Sequence, residues 1–125
     1  MKPPAIITHA FPWAHEGKFD CEKEACWFVE YDMGDIVGVV AAEERGPGVW
    51  YFFGGAVNPQ YRQQGIWRKL HKERTEYCIE HGAKVLLAVS SPGNRKAFEA
   101  EAWTPMTHYP YDEDFDEIVY FRTVT

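Results

Sequence analysis

Hydrophobic positions along the chain repeat with two different periods. Cys26 to Tyr31 (Cys-Trp-Phe-Val-Glu-Tyr) and Ile36 to Ala42 (Ile-Val-Gly-Val-Val-Ala-Ala) are rich in β-forming residues, and Gly34-Asp35 between them supplies a turn. Together they read as a β-hairpin. Arg45-Gly46-Pro47-Gly48 is a second turn signal. Val49-Trp50-Tyr51-Phe52-Phe53 then reads as a third strand, apolar on both faces and therefore central. Gly54-Gly55 at the end of that run predicts a bulge, or a backbone that something else approaches closely. From Ile66 the period lengthens. Ile66, Leu70, Tyr77 and Cys78 share one helical face, the charged residues Arg68, Lys69, Lys72, Glu76 and Glu80 lie elsewhere, and Gly82 is a natural stop.

The second half continues the alternation. Val85 to Val89 is a buried strand, Ser91-Pro92-Gly93-Asn94 opens a short helix over Arg95–Glu101, and Trp103–Tyr109 with Ile118–Val124 form a closing strand pair around an acidic loop. Before Cys26 the pattern is weak; a short strand at Ala5–His9 and one helical turn within Gly17–Ala25 fit it. This order of elements predicts a mixed sheet with flanking helices, an α+β (α/β) fold in three layers. The 125 residues show no repeat and no linker, so residues 1–125 read as one domain.

Composition narrows the class. Apolar residues make up 46% of the chain and charged residues 26%, as expected of a soluble globular domain. No run approaches the ~20 apolar residues of a membrane span. Three cysteines (Cys21, Cys26, Cys78) without an export signal point to reduced thiols and a cytoplasmic location. Cys21 and Cys26, with His15 nearby, lack the spacing of a zinc pair, so no metal is expected. A net charge of -6 argues against a polyanionic partner such as nucleic acid. The charge is uneven, however. Arg62, Arg68, Lys69, Lys72 and Arg74 cluster within 13 residues, and Asp112 to Glu117 holds five acids. The first cluster suits a local anionic ligand or a solvated helix face.

The chemistry concentrates in residues 56–70, Ala-Val-Asn-Pro-Gln-Tyr-Arg-Gln-Gln-Gly-Ile-Trp-Arg-Lys-Leu. A strand ends near Pro59, which lacks a donor, and a helix starts after Gly65. Helix N-termini carry unpaired N–H groups and partial positive charge, a glycine there admits a phosphate, and Arg62 and Arg68 add charge-assisted bonds. An ordinary strand-to-helix turn remains the alternative on these residues alone.

Val57, Pro59, Arg62 and Gly65 stand in the pattern V-x-P-x-x-R-x-x-G-x-G/A, and the segment resembles the signature of the GNAT acetyltransferases. The following Asn94-Arg95-Lys96-Ala97 and the pair Ala102-Trp103 resemble that family's N-x-x-A stretch and its closing Gly-Phe pair. The resemblance covers roughly residues 26–125 and implies a mostly antiparallel sheet with a splayed central pair of parallel strands. It also implies acetyl-CoA as cosubstrate. The coenzyme's arm would then pair with backbone at Ala56 and Val57. Its pyrophosphate would lie on the amides of Gln63, Gln64, Gly65, Ile66 and Trp67 beside Arg62 and Arg68, with Asn94 and Phe98 from the second helix. Three departures accompany it. Trp67 replaces the last small residue of the phosphate loop. Phe98 occupies the position where the family often has a proton-donating tyrosine. The region before Cys26 is short for the helices that usually shape the acceptor site.

Acetyl transfer to an amine needs an acceptor that loses a proton, a donor for the oxyanion, and stabilisation of the thiolate. Tyr51, six residues before Val57 and expected on the same strand face, is one candidate, with Glu43 and Glu44 as nominal alternatives. Tyr109 and Tyr111 are candidate thiolate donors. His71 and His81 read as surface residues. The expected activity is transfer of acetyl to a primary amine by direct attack on the thioester. A non-catalytic acyl-CoA-binding or protein-interaction module on the same fold is the alternative, and an unrelated nucleotide-phosphate binder stands third. Trp103, Tyr109, Tyr111 and Tyr120 crowd the C-terminal strands, and an exposed aromatic patch there predicts a homodimer.

Overall fold

The computed structural model describes residues 25–90, 94–106 and 118–124. They form β1 (Cys26–Asp32), β2 (Asp35–Gly46), β3 (Val49–Val57), a 3₁₀ turn (Pro59–Tyr61), α1 (Ile66–Glu80), β4 (Val85–Ser90), α2 (Arg95–Ala100), β5 (Thr104–Pro105) and β6 (Ile118–Thr123). The six strands make one sheet in the order β1-β2-β3-β4-β6-β5. Only β3 and β4 run parallel; every other pair is antiparallel. The expected strand and helical turn before Cys26, the acidic loop, and Tyr109 and Tyr111 lie outside the described residues.

The glycine pair is a bulge, as its position in an apolar run predicts. Val39 pairs with Ala56 and Ala41 with Phe53, so Val40 alone faces both Gly54 and Gly55. An extra residue in a strand inverts the inward–outward alternation beyond it. Trp50 and Phe52 therefore share a face with Val57, whereas Tyr51 and Phe53 share the other with Ala56. The expectation that Tyr51 and Val57 point the same way counted an unbroken strand, and the bulge overturns it.

α1 and α2 both lie on the face that carries Trp50 and Phe52. Ala42, Trp50, Phe52, Cys78, Leu86, Ala88, Phe98, Trp103 and Tyr120 form one buried cluster there, and Phe28, Val40 and Leu70 form another. Trp27, Ile36, Val39 and Ala41 form a third cluster, with Val39 and Ala41 on the opposite face of the sheet. Of the face expected from the sequence (Ile66, Leu70, Tyr77 and Cys78), Leu70 and Cys78 are buried in α1, and His71, Arg74 and Thr75 are buried with them. His71 is 1% exposed rather than a surface residue. Arg74, counted above with the basic cluster, is also buried.

Two of the C-terminal aromatics, those among the described residues, are accommodated in the core. Trp103 and Tyr120 are buried, Phe98 stacks on Tyr120 at 5.4 Å, and Trp103 meets Phe98 edge-on at 5.0 Å. The aromatic patch that motivated a homodimer thus loses two of its four members to the core.

α2 ends in a Schellman motif. The Trp103 N–H donates to the Phe98 carbonyl at 3.1 Å and the Ala102 N–H to the Glu99 carbonyl at 3.3 Å. That motif sends its C′ residue into the left-handed region, and Ala102 sits there at φ 64°. Glycine is the usual occupant because a Cβ makes this conformation unfavourable by ~1–2 kcal/mol. Ala102 is exposed and loses no packing on truncation. Ala102→Gly is therefore expected to raise the unfolding free energy by about 1 kcal/mol, offset in part by the flexibility of glycine in the unfolded chain. Urea denaturation at neutral pH measures it; an unchanged or lower midpoint would refute the strain.

Candidate functional site

The site arises where the parallel pair stops. β3 and β4 pair from Val49↔Val85 to Phe52↔Ala88 and no further. β3 runs on to Val57, while Val89 and Ser90 of β4 stay paired to β6. Beyond Phe52 the β4-facing edge of β3 has no strand partner among the described residues, and a cavity of about 840 Å³ opens there. Gly55, Ala56 and Val57 form its strand wall. Tyr61, Arg62, Gln63 and Gly65 supply the loop, Ile66, Trp67 and Arg68 the first turn of α1, and Asn94, Lys96 and Ala97 the α2 side.

The loop is held in place from several directions. The Asn58 N–H donates to the Val37 carbonyl at 2.8 Å, and the Asn58 side chain accepts from the Gln60 N–H at 3.0 Å, capping the 3₁₀ turn. The Tyr61 hydroxyl donates to Asp32 at 2.8 Å, and that carboxylate raises the tyrosine pKa. Lys69 bonds Glu30 at 2.7 Å, so the β1 end of the hairpin is tied to both the loop and the helix. Arg62 Nε donates to the Val57 carbonyl at 3.2 Å, which folds the guanidinium back along the strand end. Gln63 and Gly65 both adopt positive φ, 66° and 79°. A Cβ built on Gly65 would touch nothing within 4 Å, so its backbone angle, not lack of room, calls for glycine.

α1 begins without a side-chain cap and without an acidic residue in its first turn. Its leading N–H groups have no carbonyl one turn back, and the helix dipole adds positive potential at the same point. Arg62 and Arg68 stand beside it and Lys96 lies on the α2 side. Open donors at a helix start and cations on both sides are the chemistry that an elongated anion needs.

Behind the cavity lies a buried polar chain. Trp67 stacks on His71 with ring centroids 4.7 Å apart and planes at 9°. Arg74 Nη2 donates to His71 Nδ1 at 2.7 Å, so the imidazole proton sits on Nε2, which donates to Glu101 at 2.8 Å. Burial, with Arg74 and Arg122 close by, pushes the His71 pKa down to about 3. Arg74 continues the chain to the sheet, donating to the Ala41 carbonyl at 3.1 Å and the Phe53 carbonyl at 3.4 Å, with its guanidinium 4.2 Å above the Phe52 ring.

Of the residues expected at a coenzyme site, Ala56, Val57, Arg62, Gln63, Gly65, Ile66, Trp67, Arg68 and Asn94 line the cavity. Gln64 and Phe98 are not among the lining residues. Phe98 is 2% exposed, wedged between Trp67, His71, Trp103 and Tyr120 in the core. Sequence reasoning missed Gly55, Tyr61, Lys96 and Ala97; the last two follow Asn94 by two and three positions, so the helix start that exposed Asn94 carried their signal. Tyr51 lies on the opposite face from Val57, stacked on Phe53 and covered by Arg45 at 3.9 Å, while Arg45 also pairs with Glu43 at 2.6 Å. Glu44 is exposed near the far end of β2. Cys78 is buried with its thiol pushed up to about 12, and Cys26 Sγ donates to the Tyr77 hydroxyl at 3.6 Å. Among the described residues no group of three or more His, Cys, Asp or Glu could hold a metal ion, and no helix is long and apolar enough to cross a membrane.

A mixed sheet that splays between its two parallel strands, with an uncapped helix N-terminus at the opening, is the architecture of an acyl-CoA-dependent acetyltransferase. The acetyltransferase (GNAT) family model matches residues 2–100, and the chain belongs to that family. Solved structures share the fold at low identity. An acetyltransferase from Streptococcus agalactiae is 13% identical with a TM-score of 0.64, covering 86% of this chain and 71% of its own. A GNAT family acetyltransferase from Elizabethkingia anophelis, solved with acetyl-CoA bound, is 13% identical at TM-score 0.66, covering 80% of this chain and 76% of its own. An aminoglycoside 6'-N-acetyltransferase complexed with coenzyme A is also 13% identical at TM-score 0.67, with coverages of 82% and 74%. No curated protein gives a significant sequence match.

The buried imidazole makes stability depend on pH with a fixed sign. In the unfolded chain His71 has an ordinary pKa near 6.5, so between about 6.5 and 3 the unfolded state binds the extra proton. Its contribution is fully present above about pH 6.5 and is lost as pH falls towards 3. Unfolding free energy should drop by about 2 kcal/mol more in wild type than in His71→Gln between about pH 7.5 and pH 5. Urea titrations at the two pH values check this; parallel losses in both proteins would mean that His71 charges inside the fold.

Proposed function

We propose that the protein transfers an acetyl group from acetyl-CoA to a primary amine. The observation that carries this reading is the meeting of the open β3 edge with the uncapped start of α1, between Arg62, Arg68 and Lys96, in a cavity of ligand size. Amides at the head of α1 and the two arginines receive the pyrophosphate. The β3 backbone at Ala56 and Val57 pairs with the amide-bearing arm. The amine nitrogen attacks the thioester carbonyl carbon, the oxyanion forms within reach of a strand N–H, and the C–S bond then breaks. The thiolate leaves and takes up a proton, and the attached nitrogen gives one up. The cysteine pattern supports a cytoplasmic setting for this chemistry.

A second reading has one specific observation in its favour. Phe98 has no hydroxyl and is buried, so this position supplies no proton to a leaving thiolate. A domain that binds acyl-CoA without turning it over would tolerate that.

Thiol release from acetyl-CoA with a panel of primary amines separates the two. Amine-dependent release is expected, and its absence with every amine, alongside intact coenzyme binding, would leave the binding module. Binding itself is read by thermal shift, because acetyl-CoA stabilises only the folded state. Arg62→Ala should weaken affinity about tenfold, the loss of one charge-assisted bond. Gly65→Glu should weaken it further, by straining a positive φ and placing a carboxylate where the phosphates approach. An unchanged shift in Gly65→Glu would remove the phosphates from this turn.

A further inference from the structure

We propose that Trp67 binds the coenzyme directly, its indole N–H donating to a carbonyl of the arm that links the nucleotide to the thioester. This rests on the acyl-CoA reading above and adds a residue whose side chain, rather than its backbone amide, holds the ligand. Trp67 lines the cavity from the first turn of α1. The edge of the ring that carries the N–H lies over the strand wall: a Cβ added to Gly55 would stand 2.9 Å from Nε1 and 3.5 Å from Cδ1. The donor is thus held against the stretch of β3 whose β4-facing edge is open.

The ring is fixed from behind. It stacks on His71, meets Phe98 edge-on at 5.8 Å, and His71 is itself held at both nitrogens by Arg74 and Glu101. Trp67 makes no hydrogen bond among the described residues. Trp50 and Trp103 likewise have indole nitrogens without a partner among the described residues, but theirs are sealed in the core, whereas Trp67 is half-buried and reaches the cavity. A half-buried donor beside an open strand edge suits a ligand that presents amide carbonyls, as the arm of an acyl-CoA does. A phosphate would find its donors further along, at the head of the helix and the arginines.

Trp67→Phe removes the N–H and keeps a ring to stack on His71. Calorimetric titration compares coenzyme A with 3'-phosphoadenosine 5'-diphosphate, which keeps the pyrophosphate and has no arm. The variant should bind coenzyme A about five- to tenfold more weakly and the armless diphosphate as wild type does. Gly55→Ala pushes a methyl against Nε1 while leaving Trp67 itself unsubstituted and should give the same pattern; it carries the test if circular dichroism shows the Phe variant unfolded. Equal coenzyme A affinity in wild type and variants would overturn the inference while leaving the acyl-CoA reading standing. Equal losses for both ligands would also overturn it, showing that Trp67 only shapes the phosphate loop. A wild type that binds neither ligand would sink the acyl-CoA reading and this inference with it.

Discussion

Arg74 carries its charge into the protein interior and donates to the carbonyls of Ala41 and Phe53, the pair that flanks the bulge in β3. A bulge disrupts the antiparallel ladder at that point and leaves backbone groups short of partners. Buried carbonyls without donors each cost about 1–3 kcal/mol, so some group must serve them. A guanidinium does so from the helix above. Burial lowers its pKa to about 9, which still leaves it a cation at neutral pH. The charge is tolerated because it lies over the Phe52 ring and is joined through His71 to the Glu101 carboxylate. Among the described residues Nε has no partner, so the arrangement is not free of cost.

The bulge in turn positions the site. It inverts the alternation of β3, putting Val57 on the helix side with Trp50 and Phe52 and turning Ala56 with Tyr51 and Phe53 to the other. It also accompanies the end of β3–β4 pairing two residues before Gly54, at Phe52↔Ala88. The opening, the exposed backbone of Gly55 to Val57 and the cavity follow from one inserted residue and the arginine that stabilises it. His71 links this to the loop. The same imidazole that accepts from Arg74 is the platform beneath Trp67, so the indole at the cavity and the guanidinium at the bulge share a support.

The strand and helix order was legible in the sequence because each element carries its own period and its own stop. Gly82 ends α1 where its pattern ends, and Gly54-Gly55 announces the bulge. The phosphate turn was legible for the same reason: Pro59, Gly65 and the flanking arginines each have a local physical meaning. What failed needed tertiary knowledge. Tyr51 was placed by counting along a strand whose parity the bulge then changed. His71 and Arg74 are polar residues, and composition assigns such residues to the surface; only their mutual hydrogen bonds make burial tolerable. Trp103 and Tyr120 read as too large to hide, yet Phe98 gives both a ring to pack on.

Phe98 explains why one substitution in a signature draws others with it. A small residue at position 67 would leave space between α1 and the strand; here the indole fills that space, and Gly55 beneath it has no side chain to oppose it. The indole needs apolar or aromatic walls on its other sides, which His71 and Phe98 provide. A tyrosine at position 98 would bring a hydroxyl into a core already filled by Trp103 and Tyr120, where an unpaired polar atom is costly. Trp67, Gly55, His71 and Phe98 are therefore one packing solution, and a departure at any one of them changes what the other three can be.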